Sequence, residues 1–204
     1  NPATSVSSPF YLEIDPLTVG AFADNDYLFL AKKEYKFARF FTGDSFPTHE
    51  PYDQIFYDNY DHRLKNAFAD LRLRGPSASI TIGRNAFGFT TAVRSANSLT
   101  DLPYEMGRFF ISSFHSDNQW DINYKDYHDF DLNSLTWLDI GANYSRVLYE
   151  RYKNYYAAGI SVRYLKGLAG AYLHSDNIDY MVKGGDTLIV YNANIDAGLS
   201  IPVN

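Results

Sequence analysis

The sequence contains no cysteine. That excludes disulfides and thiol-ligated metal sites, and with them the small disulfide-stapled secreted folds. It also lacks any window approaching the run of about 18 apolar residues that a membrane helix needs. Positive charge is in deficit: 18 Lys and Arg stand against 24 Asp and Glu, for a net charge of -6. A nucleic-acid partner needs clustered cations to neutralise phosphates, so that class is set aside. No export signal is visible. Asn1-Pro2-Ala3-Thr4-Ser5 has neither a basic start nor an apolar core. Either the chain is cytoplasmic or its signal has been removed, and composition leaves both open.

What is present is aromatic and alternating. The 204 residues include 18 Tyr and 15 Phe, and the length suffices for one domain with a real core. Hydrophobic residues make up 46% of the chain, yet mean hydropathy is -0.32. Apolar residues are therefore scattered singly among polar ones. Two homes fit this pattern. One is a soluble β-rich domain with a Tyr-rich ligand face. The other is a membrane β-barrel, in which lipid-facing and lumen-facing residues alternate and aromatic girdles mark the interfaces.

Strand signals recur along the chain. Residues 10–22 read as a strand, with Pro16 marking an edge, a bulge or an end. In residues 70–83, Ala78, Ile80 and Ile82 share one face, while Leu71 and Leu73 alternate with Arg72 and Arg74. The apolar parity changes across Gly75-Pro76, which predicts a bulge. Gly83-Arg84-Asn85 is a short turn. In residues 86–95, Phe87, Phe89, Thr91 and Val93 oppose Gly88, Thr90, Ala92 and Arg94. In residues 137–148, Leu138, Ile140, Ala142 and Tyr144 oppose Asp139, Gly141, Asn143 and Ser145. In residues 155–166, Tyr156, Ala158, Ile160, Val162 and Tyr164 oppose Gly159, Ser161 and Arg163. Residues 177–183 and 187–201 give two further strands about Gly184-Gly185-Asp186. Residues 102–110 predict a short helix, with Asp101 as N-cap and Pro103 in its first turn.

Three features favour the membrane. The strands are long for a globular domain but suit a tilted bilayer crossing. Each apolar face is opposed by Gly, Ser, Asn, Asp and Arg, a mixture suited to a watery lumen. Connections alternate: residues 23–69 and 96–135 are long, while those near 84–85 and 150–154 are short. Outer-membrane barrels pair long outside loops with short periplasmic turns. The expected fold is therefore an all-β antiparallel transmembrane barrel of six or seven strands, with one short helix in a loop. Arg72, Arg94, Asp139, Asn143 and Arg163 fall on the expected lumen face. Phe87, Phe89, Ile140, Ile160 and Val162 fall on the lipid face.

Catalytic and metal patterns are weak. Gly43-Asp44-Ser45 resembles the nucleophile block of a class of lipases and esterases. That mechanism needs a His three residues after an Asp, and none of His49, His62, His115, His128 and His174 meets the condition. Asp129-Phe130-Asp131-Leu132-Asn133 opens like a calcium loop, but Ser134 and Ile140 occupy the Gly and Glu positions. His115, Asp117, His128 and Asp129 lack the spacing that would gather a metal. No catalysis and no cofactor are expected.

Several stretches carry a resemblance. Asn1-Pro2-Ala3 resembles the mature start of long-chain fatty-acid transporter-like barrels. Leu73-Arg74-Gly75-Pro76-Ser77, Ala86-Phe87-Gly88-Phe89-Thr90-Thr91, Val93-Arg94-Ser95 and Leu102-Pro103-Tyr104-Glu105 look like a Bacteroidota outer-membrane barrel family of unassigned function. The series continues through residues 157–167, Gly170-Ala171-Tyr172 and Asn177-Ile178-Asp179-Tyr180. The resemblance implies a signal peptide removed upstream, a fatty-acid transporter-type barrel and no catalytic residues. Members of that type are about twice this length, and a membrane barrel needs at least about eight strands to close. Residues 1–204 are accordingly expected to be one domain, the N-terminal portion of a longer barrel.

The expected location is the outer membrane, with its lipid and other envelope proteins as partners. The expected role is transport of hydrophobic or amphipathic solutes, or an accessory part in outer-membrane assembly or secretion. The alternative is a secreted β-rich module that holds glycans with Tyr and Asn.

Overall fold

The computed structural model describes residues 2–8, 10–30, 42, 56–59, 61–112, 119–126, 128–151 and 154–201. The described residues are predominantly β, with a 3-10 helix at Pro2–Ser7 and an α-helix, α1, at Tyr104–Ser112. The strands are β1 (Leu12–Asp15), β2 (Thr18–Asn25), β3 (Leu28–Phe29), β4 (Tyr57–Asp58), β5 (Lys65–Arg74), β6 (Ser77–Ile82), β7 (Asn85–Leu102), β8 (Asn123–Asp126), β9 (Phe130–Arg151), β10 (Asn154–Lys183) and β11 (Thr187–Ser200). Nine of them form a single antiparallel sheet, and β3 pairs with β4 in a small second ladder.

The nine strands occupy six lines. β1 and β2 form the first line, broken at Pro16-Leu17, and β5 and β6 form the second, broken at Gly75-Pro76. Asp15 faces Ser77 and Thr18 faces Arg74, so the two breaks lie side by side. On the other flank of the second line, Arg74 faces Ala92 while Ala78 faces Phe89. Three residues thus oppose two, which is the bulge that the parity change predicted. The Gly75 N–H still donates to the Thr91 carbonyl at 2.8 Å. Pro16 lacks a donor but sits on an outer line, where no ladder bond is lost.

The lines follow one another as an up-and-down meander, and the sheet is open. β1 and β2 at one margin and β11 at the other each pair with a single neighbour among the described residues. The expectation of separate strands at 155–166 and 177–183 is corrected: β10 is continuous over 30 residues. A register shift between Gly167 and Ala169 flips its parity while the ladder to β9 continues. The alternation lapses there, although the pairing does not. The helix also starts later than expected. Asp101 is not its cap; it lies near the end of β7 with φ 58°, where the pairing to β5 shifts register, and the first helical bond runs from the Gly107 N–H to the Pro103 carbonyl.

The two long connections, 26–64 and 103–129, leave and rejoin the sheet at the same end. The Gly83-Arg84 turn and the link from Arg151 to Asn154 lie at the other. Gly83 has φ 60° as the first residue of its two-residue turn, a position glycine fills without strain. The third hairpin, Gly184-Gly185-Asp186, is short although it belongs to the long-connection end.

Register aligns the apolar face into continuous rows. Leu12, Ile80, Phe87, Tyr144 and Ile160 stand side by side across five strands, and Ile14, Ala78, Phe89, Ala142 and Val162 form the next row. Further up come Thr91, Ile140 and Tyr164, then Val19, Leu73, Val93, Leu138 and Lys166. From Phe87 to Val93 these rows cover about 20 Å of strand. Among the described residues no second layer covers them: Phe89 is 50% exposed, Ile160 63% and Val162 68%. The face then turns polar. Ser134 donates to Asn97 at 2.7 Å and Thr136 to Ser95 at 3.1 Å, forming a belt of small polar residues.

Buried apolar residues gather in two small clusters at opposite ends of the sheet. Val6 of the 3-10 helix packs on Ala86 and Val147 at the short-turn end. Phe109 of α1 packs on Tyr180 and Val182 at the other end, beside Trp120 and Tyr124. A water-soluble domain of this size has one contiguous core. Here the middle of the sheet is bare on its most apolar side.

Candidate functional site: an arginine-lined cavity

The opposite face of the sheet carries charge. Strand periodicity puts Asp70, Arg72 and Arg74 of β5 on that one side. Register sets Arg94 of β7 directly across from Arg72, and Ala92 across from Asp139 of β9. Asn143 faces Ser161 of β10, and Gly141 faces Arg163. A Cβ at Gly141 would stand 2.6 Å from Thr90 Oγ1 and 3.7 Å from Arg163 Cγ. The bare glycine therefore leaves room for Arg163 to lie across β9 toward Asp139.

Arg72, Arg94, Asp139, Asn143 and Arg163 all line one cavity of about 210 Å³. The structure thus brings together the five residues that the alternation assigned to a lumen. Arg163 Nη1 donates to Asp139 Oδ2 at 3.1 Å, and Asp139 is buried. Arg94 Nη2 donates to Asp70 Oδ2 at 3.3 Å. Its guanidinium also lies over the Trp137 ring, 5.1 Å from the centroid, a favourable cation–π arrangement. Ser161 donates to Asn143 Oδ1. Ser5 of the 3-10 helix adds one wall, and Val6 beside it anchors that helix at the short-turn end.

Sequence reading missed four contributors. Arg74 and Asp70 share the parity of Arg72, a signal that was available. Trp137 shares the parity of Asp139, although only register sets it across from Arg94; Ser5 had no such signal, because it comes from a helix docking from far along the chain. The residues assigned to lipid, Phe87, Phe89, Ile140, Ile160 and Val162, all lie on the other face.

The weaker chemical patterns resolve differently. Phe130, Asp131, Leu132 and Asn133 belong to β9, so the calcium-loop pattern is a strand. Asp131 Oδ1 instead contacts His174 Nδ1 at 2.9 Å. Gly43-Asp44-Ser45, His49, His115 and Asp117 lie outside the described residues. Among the described residues no group of three or more His, Asp or Glu is placed to hold a metal. A second cavity of about 400 Å³, walled largely by carbon from Ala23, Ala67, Leu99 and Leu132, lies beneath Gly107 of α1.

Neither the curated proteins nor the solved structures contain a match to this chain. A family of unknown function, DUF5723, matches over residues 2–202, and the chain belongs to that family.

Proposed function

We propose that this chain forms part of an outer-membrane β-barrel that passes or holds amphipathic solutes and carries out no catalysis. One observation carries the reading. Rows of Phe, Ile, Val and Leu run across a sheet that no second layer covers among the described residues, and Phe87, Phe89, Ile160 and Val162 are exposed, while the reverse face is lined with Arg, Asp, Asn and Ser. In water such rows would need a covering layer. In a bilayer, lipid is that layer, and the polar face looks into a lumen. The belt of Ser95, Asn97, Ser134 and Thr136 then marks where hydrocarbon gives way to water. Long connections at one end and short turns at the other suit the same orientation.

The test is fractionation of the full-length protein. A barrel sediments with outer membranes, needs detergent for extraction and migrates differently on gels before and after heating. A protein freely soluble without detergent would replace this reading with that of a secreted glycan-binding module.

A further inference from the structure

We propose that the cavity between Arg72 and Arg94 is a binding site for a compact oxyanion, a carboxylate or a phosphate. The proposal deepens the reading above by naming the polar group of the solute, and rests on it for the solute's passage. The site itself stands on its own geometry.

Three observations point to an anion site. The first is placement. Arg72 and Arg94 are direct cross-strand partners, and like charges set opposite each other in a sheet repel. The second is balance. Arg72, Arg74, Arg94 and Arg163 meet two carboxylates, Asp139 and Asp70, so two positive charges are left over. Arg72 and Arg74 make no ion pair among the described residues. This surplus sits in a chain whose net charge is -6. The third is hydrogen bonding. The Nε atoms of Arg72 and Arg94 are both buried and both lack an acceptor. A buried N–H with nothing to donate to is unfavourable and rare in folded proteins.

One ligand chemistry resolves all three. A guanidinium offers donors in a planar fork that matches two oxygens of a carboxylate or phosphate. Arg94 spends Nη2 on Asp70 and is held flat against Trp137. Both arginines line the cavity, and an anion there gives each buried Nε–H an acceptor once the side chain turns it toward that space. Thr90, Asn143 and Ser161 line the same space and supply neutral polar groups around it. Asp139 faces Arg163, which limits the attraction to an anion small enough to sit beside the other arginines.

The experiment uses the full-length protein in detergent, with inorganic phosphate, acetate and chloride compared at constant ionic strength. The unfolding midpoint should rise with phosphate or acetate and stay flat with chloride. Whichever of the two acts at lower concentration identifies the preferred group. Arg72→Gln should weaken the response by about tenfold or more, while its midpoint without added anion matches or exceeds that of the wild type. Arg72→Lys should recover part of the response. A second measurement needs no variant. Phenylglyoxal should modify Arg72 and Arg94 more slowly when phosphate or acetate is present, with exposed Arg84 and Arg146 unaffected. Equal responses to all three anions, or an unchanged response in Arg72→Gln, would overturn the site. So would an Arg72→Gln midpoint that falls equally with and without anion, since that is the mark of a purely structural arginine. Fractionation reports on the membrane reading separately, so the two can fail independently.

Discussion

Trp120 lies against Gly185. A Cβ at that glycine would stand 2.3 Å from Trp120 Cζ2, and the glycine has φ 78°. The contact ties the hairpin between β10 and β11 to the connection that leads from α1 into β8. Backbone pairing continues the tie, because the Asp121 N–H donates to the Val182 carbonyl at 2.8 Å.

Gly185→Ala should therefore be costly. The left-handed backbone alone penalises an alanine by about 1–2 kcal/mol, and displacing the indole adds to that. Gly83→Ala is the control, since Gly83 has φ 60° and nothing within 4 Å of its Cβ position. Denaturant or thermal unfolding should rank Gly185→Ala clearly below Gly83→Ala. Equal losses would mean that the Trp120 contact adds nothing.

The two faces should respond oppositely to charge. Phe89→Arg or Ile160→Arg places a guanidinium among exposed apolar rows and should cost about 2–4 kcal/mol at mid-bilayer, blocking insertion. Ser161→Arg, on the polar face, should insert nearly as well as the parent. Insertion into lipid vesicles, read by protease protection, gives the ranking. The reverse order would refute the face assignment.

Acid should loosen one corner first. Asp61 lies in the connection before β5, and its carboxyl is held below its ordinary value of 3.8. The hydrogen bond from Lys65 is the main cause, partly opposed by desolvation and aided by the Arg63 backbone N–H. Because folding lowers this pKa, the stability it gives is present above 3.8 and drains away as pH falls through the folded value. Lys65 is only 3% exposed and lies over the Tyr27 ring, so it depends on that carboxylate. Hydrogen exchange near Tyr27 and Lys65 should accelerate below pH 3.8 in the wild type. In Asp61→Asn it should already be fast at neutral pH and show no such transition.

The 3-10 helix should detach when its anchor is cut. Val6 is buried against Ala86 and Val147. Val6→Ala removes two methyl groups and should cost about 1–3 kcal/mol. Val6→Asp should release the helix and raise the rate at which a thiol reagent reaches Ser161→Cys in the cavity. An unchanged labelling rate would show that the helix does not wall the cavity.

Much of this molecule was legible in single residues. The alternation of Phe87 and Phe89 with Gly88 and Thr90 sets the faces, and a sheet preserves that period. The bulge at Gly75-Pro76 was readable because a parity change needs an extra residue. β10 was harder. Gly167, Gly170 and Asp176 resemble breakers, yet Gly167 is held by β9, Gly170 by β9 and β11, and the ladder to β11 resumes at Asn177 after skipping Asp176. Asp101 looked like a cap because its residue type fits. Its N–H is instead taken by Asn66 Oδ1 at 3.2 Å, a contact from a distant part of the chain. The cavity was half legible. Parity found the face of Arg72, Arg94 and Arg163, but only register reveals that two of them stand opposite each other.

The margins of the sheet bear on how the protein must be handled. Among the described residues β11 offers an outer rank of amide and carbonyl groups with no complement, beside side chains such as Val190 and Leu199 that are already exposed. Such a rim is adhesive toward any extended peptide, including another copy of itself. Produced alone in water, this polypeptide should stack rim to rim into insoluble deposits. Recovering it will depend on supplying something that zips onto both rims before its copies meet.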